Sequence, residues 1–457
     1  MTKDPENRTD WKFMMPLVLG TMMNPLNSTM LATALVTICL HFSENVSAGA
    51  LLITPLYISA AIGQPLMGRL ADIYDPKAIN RFGILLVLLG AVIGVFAPSF
   101  AWLIVARILF GLGTSSAYPS AMALIAHKYG NASRSIPGNI LGIITVASQV
   151  SLVLGPLLGG ILTQFFGWQG IFLINLPWAL GTLLLLRNIA PVKKPNDAQL
   201  PVFRKIDAPG IFLFAAFLIF LLIALTQHSS IWLYAGLSLI SFAAFVWWER
   251  KQDRPFIDIK LLWYKPSLML VYLRTLATNY TLYLFLYAMP QWIEAVKAIP
   301  PAQTGLIMLP MSLLSAISAI VLARRIKSLN VQNLLGVFSL IAACICLFIL
   351  NQSTSVFWII CANMIAGISI GVNIIAVQTA MSAEAPPGQT GISFGLNRTF
   401  GYMGAIISGL HLKAVFHTGI TDLSLHQCGW FASVSCLILI VLLAIRTKPS
   451  RDSTPAV

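Results

Sequence analysis

Arg274, Thr278 and Thr281 recur at i, i+4 and i+7 inside the apolar run 267–293, the spacing of one helix face. A guanidinium flanked by hydroxyls in an apolar setting is suited to grip a carboxylate or phosphate through paired hydrogen bonds. Asn279, Tyr280, Tyr283, Tyr287 and Gln291 add polarity to the same run. If that run crosses a bilayer, its polar stripe must meet water, protein or ligand rather than lipid. Arg398 stands about nine residues into the run 389–416, as Arg274 does into its own. At ~1.5 Å per residue both would lie roughly 13 Å below the same membrane surface. A central arginine costs on the order of 3 kcal/mol to insert, so two at one depth mark a cavity and together would cradle an anion. Asn27, in the run 12–40, is a further polar lining candidate, with Asn24, Asn363, Asn373 and Gln378 of the same kind. The plainer alternative is that each bonds to neighbouring carbonyls and hydroxyls and packs the helices.

The acids point the same way. All fifteen Asp and Glu fall in tails, in loops or at the ends of apolar runs. None stands at mid-depth to neutralise a lipophilic cation. His41, His411, His417 and His426 lie towards one end of their runs and could titrate in place of an acid. The six cysteines form no Cys-x-x-Cys pair and no His/Cys cluster, so neither a metal nor a bound cofactor is expected. Gly367-Ile-Ser369-Ile-Gly371 and Gly391-Ile-Ser393-Phe-Gly395 fit a hydrolase nucleophile pattern. That pattern needs a strand–turn–helix setting, and here both sit in apolar runs, so enzyme chemistry is not expected.

A second set of residues suits moving parts. In Gly68-Arg69-Leu70-Ala71-Asp72-Ile73-Tyr74-Asp75-Pro76-Lys77, Asp72 can pair with nearby cationic groups or sit at the N-terminus of a following helix, where the dipole favours negative charge. Such a cluster could latch a gate. Arg107, within 101–126, suits an internal hydrogen bond to a polar side chain. Gly155-Pro156 and Gly159-Gly160 allow a close approach and a bend in 136–163.

These residues need elements to position them. Of 457 residues 57% are hydrophobic and 10% charged, with mean hydropathy +0.82. A soluble globule would lack polar cover, disorder is excluded, and the runs are too long and unbroken for barrel strands. Fourteen apolar segments of about 18–29 residues suit a ~30 Å core: 12–40, 48–71, 79–98, 101–126, 136–163, 169–187, 207–227, 231–248, 267–293, 302–323, 331–350, 355–381, 389–416 and 428–446. The first is too long for a cleavable signal and lacks a small-residue cleavage site. With both termini cytoplasmic, twenty-four of the twenty-nine Lys and Arg fall inside and only Lys297 and Lys413 outside. Arg107, Arg274 and Arg398 complete the set. That bias fixes the expected orientation. It also assigns the net charge of +14 to anionic lipid rather than nucleic acid. Pro55 and Arg69 are echoed by Pro310 and Arg324, and Gly138-x-x-x-Gly142 by Gly391-x-x-x-Gly395. The expected organisation is therefore all-α: an N-terminal six-helix bundle (1–187), linkers around a two-helix insert (188–266) and a C-terminal six-helix bundle (267–457).

The loop 68–77 resembles the signature of the major facilitator superfamily. Arg107-Ile108-Leu109-Phe110-Gly111-Leu112-Gly113 resembles its fourth-helix motif, and Gly155-Pro156-Leu157-Leu158-Gly159-Gly160 its fifth-helix antiporter motif. The stretch 167–177, the insert, and Pro290-Gln291-Trp292 with Thr304-Gly305 and Pro310 are similar to the fourteen-helix drug:proton antiporters, QacA and EmrB relatives. The resemblance implies alternating-access transport driven by an ion gradient, most often proton-coupled efflux, and a role for Arg107 in conformational or proton coupling. Asp75 replaces the loop's second glycine. Asn27 stands where multidrug members carry an acid.

The resulting expectation is a secondary transporter of the bacterial inner membrane. It would export a small amphipathic anion or zwitterion, such as a metallophore (siderophore-like) or an organic acid. The alternatives are proton-coupled multidrug efflux of lipophilic cations, conferring drug resistance, and import of the anion. Expected partners are the substrate, protons and membrane lipid, with a periplasmic adaptor as a further partner to look for. A channel fits the repeat and the gate motif less well.

Overall fold

A computed structural model describes residues 9–44, 50–129, 136–192, 207–226, 231–253, 255–299, 301–326, 328–386, 388–416 and 419–444. Among these, the regular structure is entirely helical. The helices are α1 Trp11–His41, α2 Ala50–Ile73, α3 Pro76–Val95, α4 Phe100–Thr114, α5 Ala117–Tyr129, α6 Gly138–Phe166, α7 Gly170–Leu173 and α8 Asn175–Leu186. After the stretch 193–206 come α9 Ala208–Thr226, α10 Ile231–Glu249, α11 Ile259–Tyr264, α12 Pro266–Val296, α13 Pro301–Arg325, α14 Leu329–Ile349, α15 Val356–Glu384, α16 Thr390–Phe416 and α17 Asp422–Ala444.

Each of the fourteen expected segments falls on a helix or on a broken helix. The run 101–126 is α4 plus α5, interrupted at Ser115 and Ser116. Their hydroxyls donate back to the Gly111 and Gly113 carbonyls, competing with the helix ladder. The run 169–187 is α7 plus α8, and Gly167, at φ +66°, turns the chain so sharply that α6 and α7–α8 meet at 120°. α17 begins six residues before the expected 428, at Asp422. Thr421 and Ser424 cap it reciprocally, each hydroxyl accepting the other's N–H at 3.2 and 2.8 Å, a start signal that apolarity does not register. Among the described residues seven helices are long and apolar enough to cross a membrane, or eight with the bent pair counted as one span.

Local chemistry starts the other helices. Asp10 caps α1 by accepting the Lys12 and Phe13 N–H groups, and Asp75 caps α3 with Pro76 at the first helical position, as the two residue types favour. Three contacts define one end of the molecule. The start of α1 meets the end of α5 through Asp10–Lys128. Lys77 on α3 donates to the Ile189 carbonyl after α8. Lys265, before α12, pairs with Glu384, the last residue of α15. We call this end, where α1 begins and α17 finishes, the terminal side.

α1 packs on α6, and α2 and α3 on α4; among the later helices α13 packs on α15 and α12 on α16 and α17. The two sets meet where α2 lies along α16 and α6 along α13. One large apolar cluster runs from Phe13 to Tyr272 and takes in Met381 and Phe394, while a second lies within α12–α17. The α9–α10 hairpin rests by α9 on α2 and α16.

Candidate functional site

Where α5, α12 and α16 converge on α1 and α2, a set of tyrosines surrounds one guanidinium. Arg398 on α16 lies 4.2 Å from the centre of the Tyr118 ring on α5. One turn along α16, Tyr402 donates its hydroxyl to Asn24 Oδ1 at 3.1 Å, and Asn24 Nδ2 donates to Thr114 Oγ1 at 2.8 Å. Tyr402 meets the Tyr57 ring edge-on at 6.1 Å. From α12, Tyr283 stands 5.5 Å from Tyr287 and within electrostatic reach of Tyr57, Tyr402 and Arg398. Arg398, Asn24, Tyr57, Tyr283, Tyr287 and Tyr402 stand well inside their helices yet keep accessible surface. Among the described residues no carboxylate lies within ion-pair distance of Arg398. The group therefore offers a cation, aromatic faces and hydroxyls, and no negative charge.

Arg274 does not join it. Its guanidinium turns to α17 and donates to the Leu442 carbonyl at 3.0 Å, with Glu384 the charge that acts on it. The expected two-arginine cradle is corrected on this point, and the reason is rotation. Successive residues on a helix are about 100° apart, and Thr275, not Arg274, meets α16, donating to Asn397 Oδ1 at 2.6 Å. The stripe then follows Arg274. Thr281 lines a small apolar void of about 10 Å³ with Phe285, Leu340, Cys344 and Ala432, from α12, α14 and α17, and Thr278 is buried. Asn279 faces Gly401 and Gly404 on α16 and donates to the Thr275 carbonyl.

Asn27 is also committed elsewhere. It is 3% exposed and exchanges two hydrogen bonds with Asn175, at 2.6 and 2.9 Å. Its carbonyl accepts Arg107 Nη1 at 3.1 Å, and Arg107 Nε donates to the Leu52 carbonyl at 2.9 Å. Arg107, 2% exposed, thereby ties α1, α2 and α4 together. Gly155 packs against Thr29 and the Leu26 carbonyl on α1 and Gly159 is buried in α6. Pro156 belongs to α6, but its side chain lies outside the described residues.

Asp72 reaches across the molecule. Its two carboxylate oxygens accept the Gly391 and Ile392 N–H groups at 2.8 and 2.7 Å. These are first-turn donors of α16, which have no partner inside their own helix and lie at its positive end. The helix is the distant α16, not the following α3. Arg69 precedes Asp72 by three residues and is half-buried. Beside this contact α2 and α16 touch backbone to backbone: a Cβ at Gly68 would strike the Gly391 carbonyl, and one at Gly395 the Gln64 carbonyl. Thr399 Oγ1 donates to the Ala61 carbonyl, Thr145 Oγ1 to Gln378 Oε1, and the Ile136 N–H to Ser382 Oγ. Among the described residues, every hydrogen bond between α1–α8 and α12–α17 lies between mid-depth and the terminal side. The molecule is closed at that end.

Sequence reasoning named Tyr283 and Tyr287 only as polarity, and missed Tyr57, Tyr118 and Tyr402. The available signal was position, since tyrosine favours membrane interfaces and these stand inside their runs.

The profile of the Major Facilitator Superfamily matches residues 17–409. The chain is 31% identical over 424 residues to the uncharacterized MFS-type transporter YwoD of Bacillus subtilis (strain 168), covering 91% of this chain and 92% of the relative. It is 26% identical to multidrug resistance protein 3 of the same organism, over 89% and 80% of the two chains. Among solved structures, the human organic anion transporter MFSD10 (TETRAN) superposes with a TM-score of 0.68 at 16% identity, covering 96% of this chain and 100% of that one. At that identity the likeness concerns the fold.

Proposed function

This chain belongs to the major facilitator superfamily and is a multi-pass membrane transporter, not an enzyme, and from that premise we propose that it moves a small anionic or zwitterionic amphipath bound at Arg398. The observation that carries this reading is the guanidinium itself. It is accessible between the two helix sets, ringed by tyrosines, with no carboxylate partner among the described residues. A half-buried cation without a counter-ion favours a ligand that supplies one. Organic acids and carboxylate-bearing metallophores have that chemistry.

In this reading the fourteen segments all cross a bacterial inner membrane as six, two and six (1–187, 188–266, 267–457). The terminal side is cytoplasmic, as the basic loops favour. The closed terminal side is then the state that loads or releases at the outer face. Asp72, with Arg69 beside it, latches that state, while Arg107, Gly155, Pro156 and Gly159 set the packing of the first bundle against which the halves rock. The direction is export, with protons as the coupling ion.

A second reading, proton-coupled efflux of lipophilic cations, is favoured by the likeness to multidrug resistance protein 3. The Asn27–Asn175 pair weighs against it, since two neutral amides occupy the place of the usual acid.

Ligand-induced thermal stabilisation of the purified protein separates the two. Benzoate and citrate represent anions, and tetraphenylphosphonium represents cations. A ligand at about 100 times its Kd adds roughly 2.7 kcal/mol. Stabilisation by an anion, lost in Arg398→Ala, supports the proposal; stabilisation by the cation alone overturns it.

A further inference from the structure

The foot of the α9–α10 hairpin holds two carboxyl groups that the transport site does not use. Asp207, 4% exposed, precedes α9 with φ +53°, a strained value for a residue with a side chain. Its Oδ1 accepts Trp248 Nε1 at 2.8 Å and the Gly210 N–H at 3.3 Å, and its Oδ2 accepts the Phe256 N–H at 3.2 Å. Three donors make this a well-served carboxylate. Glu249, the last residue of α10, is 2% exposed; neither of its oxygens completes a well-formed hydrogen bond, and the Phe256 and Ile257 N–H groups lie near it. Glu249 Oε1 and Asp207 Oδ2 both crowd the position that a Cβ on Gly210 would take, so the two carboxyls are immediate neighbours. The walls are apolar: Phe214 packs on Phe245 at 5.5 Å and on Phe256 at 5.8 Å.

Among the described residues no cation offsets the pair. α9 carries no titratable side chain. On α10 and just after it, Arg250, Lys251 and Asp253 are exposed, and Lys251 lies over the Trp247 ring at 3.7 Å. Asp258 is half-buried farther along the linker. On the elements that α9 touches, Arg69 and Asp72 of α2 and Arg398 of α16 make no ion pair with Glu249. Among the described residues Asp207 is the charged group that acts on it. Two like charges in a dry site cannot both persist. The donors around Asp207 are N–H groups, which suit an anion and would repel a metal ion.

We propose that Asp207 and Glu249 bind one proton between them, and that this proton fastens the linker after α10 to the foot of the insert. Glu249 is the acid and donates its O–H to Asp207, which keeps its three other donors. The clasp bears on the gate through the linker. Ile257, Asp258 and Leu262 share a small cavity with Leu268 and Tyr272 of α12, with Gln389 just before α16, and with Ile392, Ser393 and Leu396 of α16. Ile392 is one of the residues whose N–H Asp72 holds. Loss of the proton puts a second charge beside Asp207, drives the carboxyls apart and frees Phe256. The proton site does not rest on the substrate reading.

The test uses the full-length purified protein and two readouts across mildly acidic to alkaline pH. Infrared difference spectra follow the carbonyl stretch of a protonated carboxylic acid. Hydrogen exchange follows the amides of 256–262, corrected for intrinsic rates. Wild type is expected to show an acid band that bleaches on alkalinisation, with faster linker exchange over the same interval. Glu249→Gln, which mimics the protonated acid, is expected to lose that band and keep the linker slow throughout. Three outcomes overturn the proposal: the same band in Glu249→Gln and wild type, linker exchange in Glu249→Gln that still rises with pH like wild type, or a band bleached by sodium or calcium ions at constant pH.

Discussion

Arg398 and Arg274 have the same chemistry and depth, and one turn of a helix separates their roles. We expect Arg398→Ala to abolish anion stabilisation while the protein still folds, because this side chain faces accessible space. Arg274→Ala should leave anion binding intact and lower stability by about 1.5–3 kcal/mol, the usual worth of a charged hydrogen bond, here the one to the Leu442 carbonyl. Paired melting curves with and without benzoate check both. Loss of binding in Arg274→Ala with Arg398→Ala unaffected would reverse the assignment. The sequence showed which residue types were too costly to place in lipid, and both arginines are indeed bonded or turned inward. It could not show which way each turned. The neighbours that decide this, Asn397 for α12 and Leu442 for Arg274, lie more than a hundred residues away. Asn27 follows the same rule: its amide reads as a lining group until Asn175, from another segment, meets it.

At the scale of elements, the α2–α16 contact depends on one carboxylate and three glycines. Asp72→Asn removes the charge that complements the α16 N-terminus, an interaction worth about 0.3–2 kcal/mol. Turnover in proteoliposomes should fall with little change in substrate affinity, and unchanged turnover would count against the latch. Gly395→Ala should act more strongly, because its methyl group meets the Gln64 backbone rather than a side chain that could swing aside. Crosslinking of cysteines placed at the terminal ends of α2 and α16 should fall in that variant. Capping gives a pH-dependent effect. The hydrogen bond from Lys128 holds the Asp10 carboxyl below its ordinary range. Its contribution is therefore present above that range and lost as pH falls through the lowered value. Asp10→Ala should cost about 0.5–2 kcal/mol at neutral pH, and the cost should vanish at strongly acidic pH, as melting temperatures would show. Helix existence was legible from apolar runs alone. The break at Ser115 and the start of α17 at Asp422 were not, because they are written in hydroxyls rather than in hydropathy.

For the whole molecule, the apolar runs carried the all-helical architecture, since lipid leaves a chain few alternatives. How one helix set meets the other was not legible, because that contact uses main-chain groups and small residues. The closure at the terminal side makes a prediction about access. In a background without the native cysteines, a cysteine at Tyr287 should react with a membrane-impermeant maleimide applied from the side opposite the termini, and an anionic substrate should protect it. Labelling only from the terminal side would contradict the closed arrangement.

The contact between Gly68, Gly391 and Gly395 leaves a consequence for reversibility. The glycine contact itself exposes little new apolar surface when it parts, and the apolar cost of opening falls instead on neighbours such as Phe394 and Met381. What holds it is a handful of hydrogen bonds, each worth about 0.5–1.5 kcal/mol net. The two conformations of such a joint lie close in free energy, and a difference of about 1.4 kcal/mol shifts their ratio tenfold. Where bare backbone meets bare backbone, the seam resists parting less than a fully side-chain-packed joint would, and the ligand's differential affinity for the two states has less to overcome.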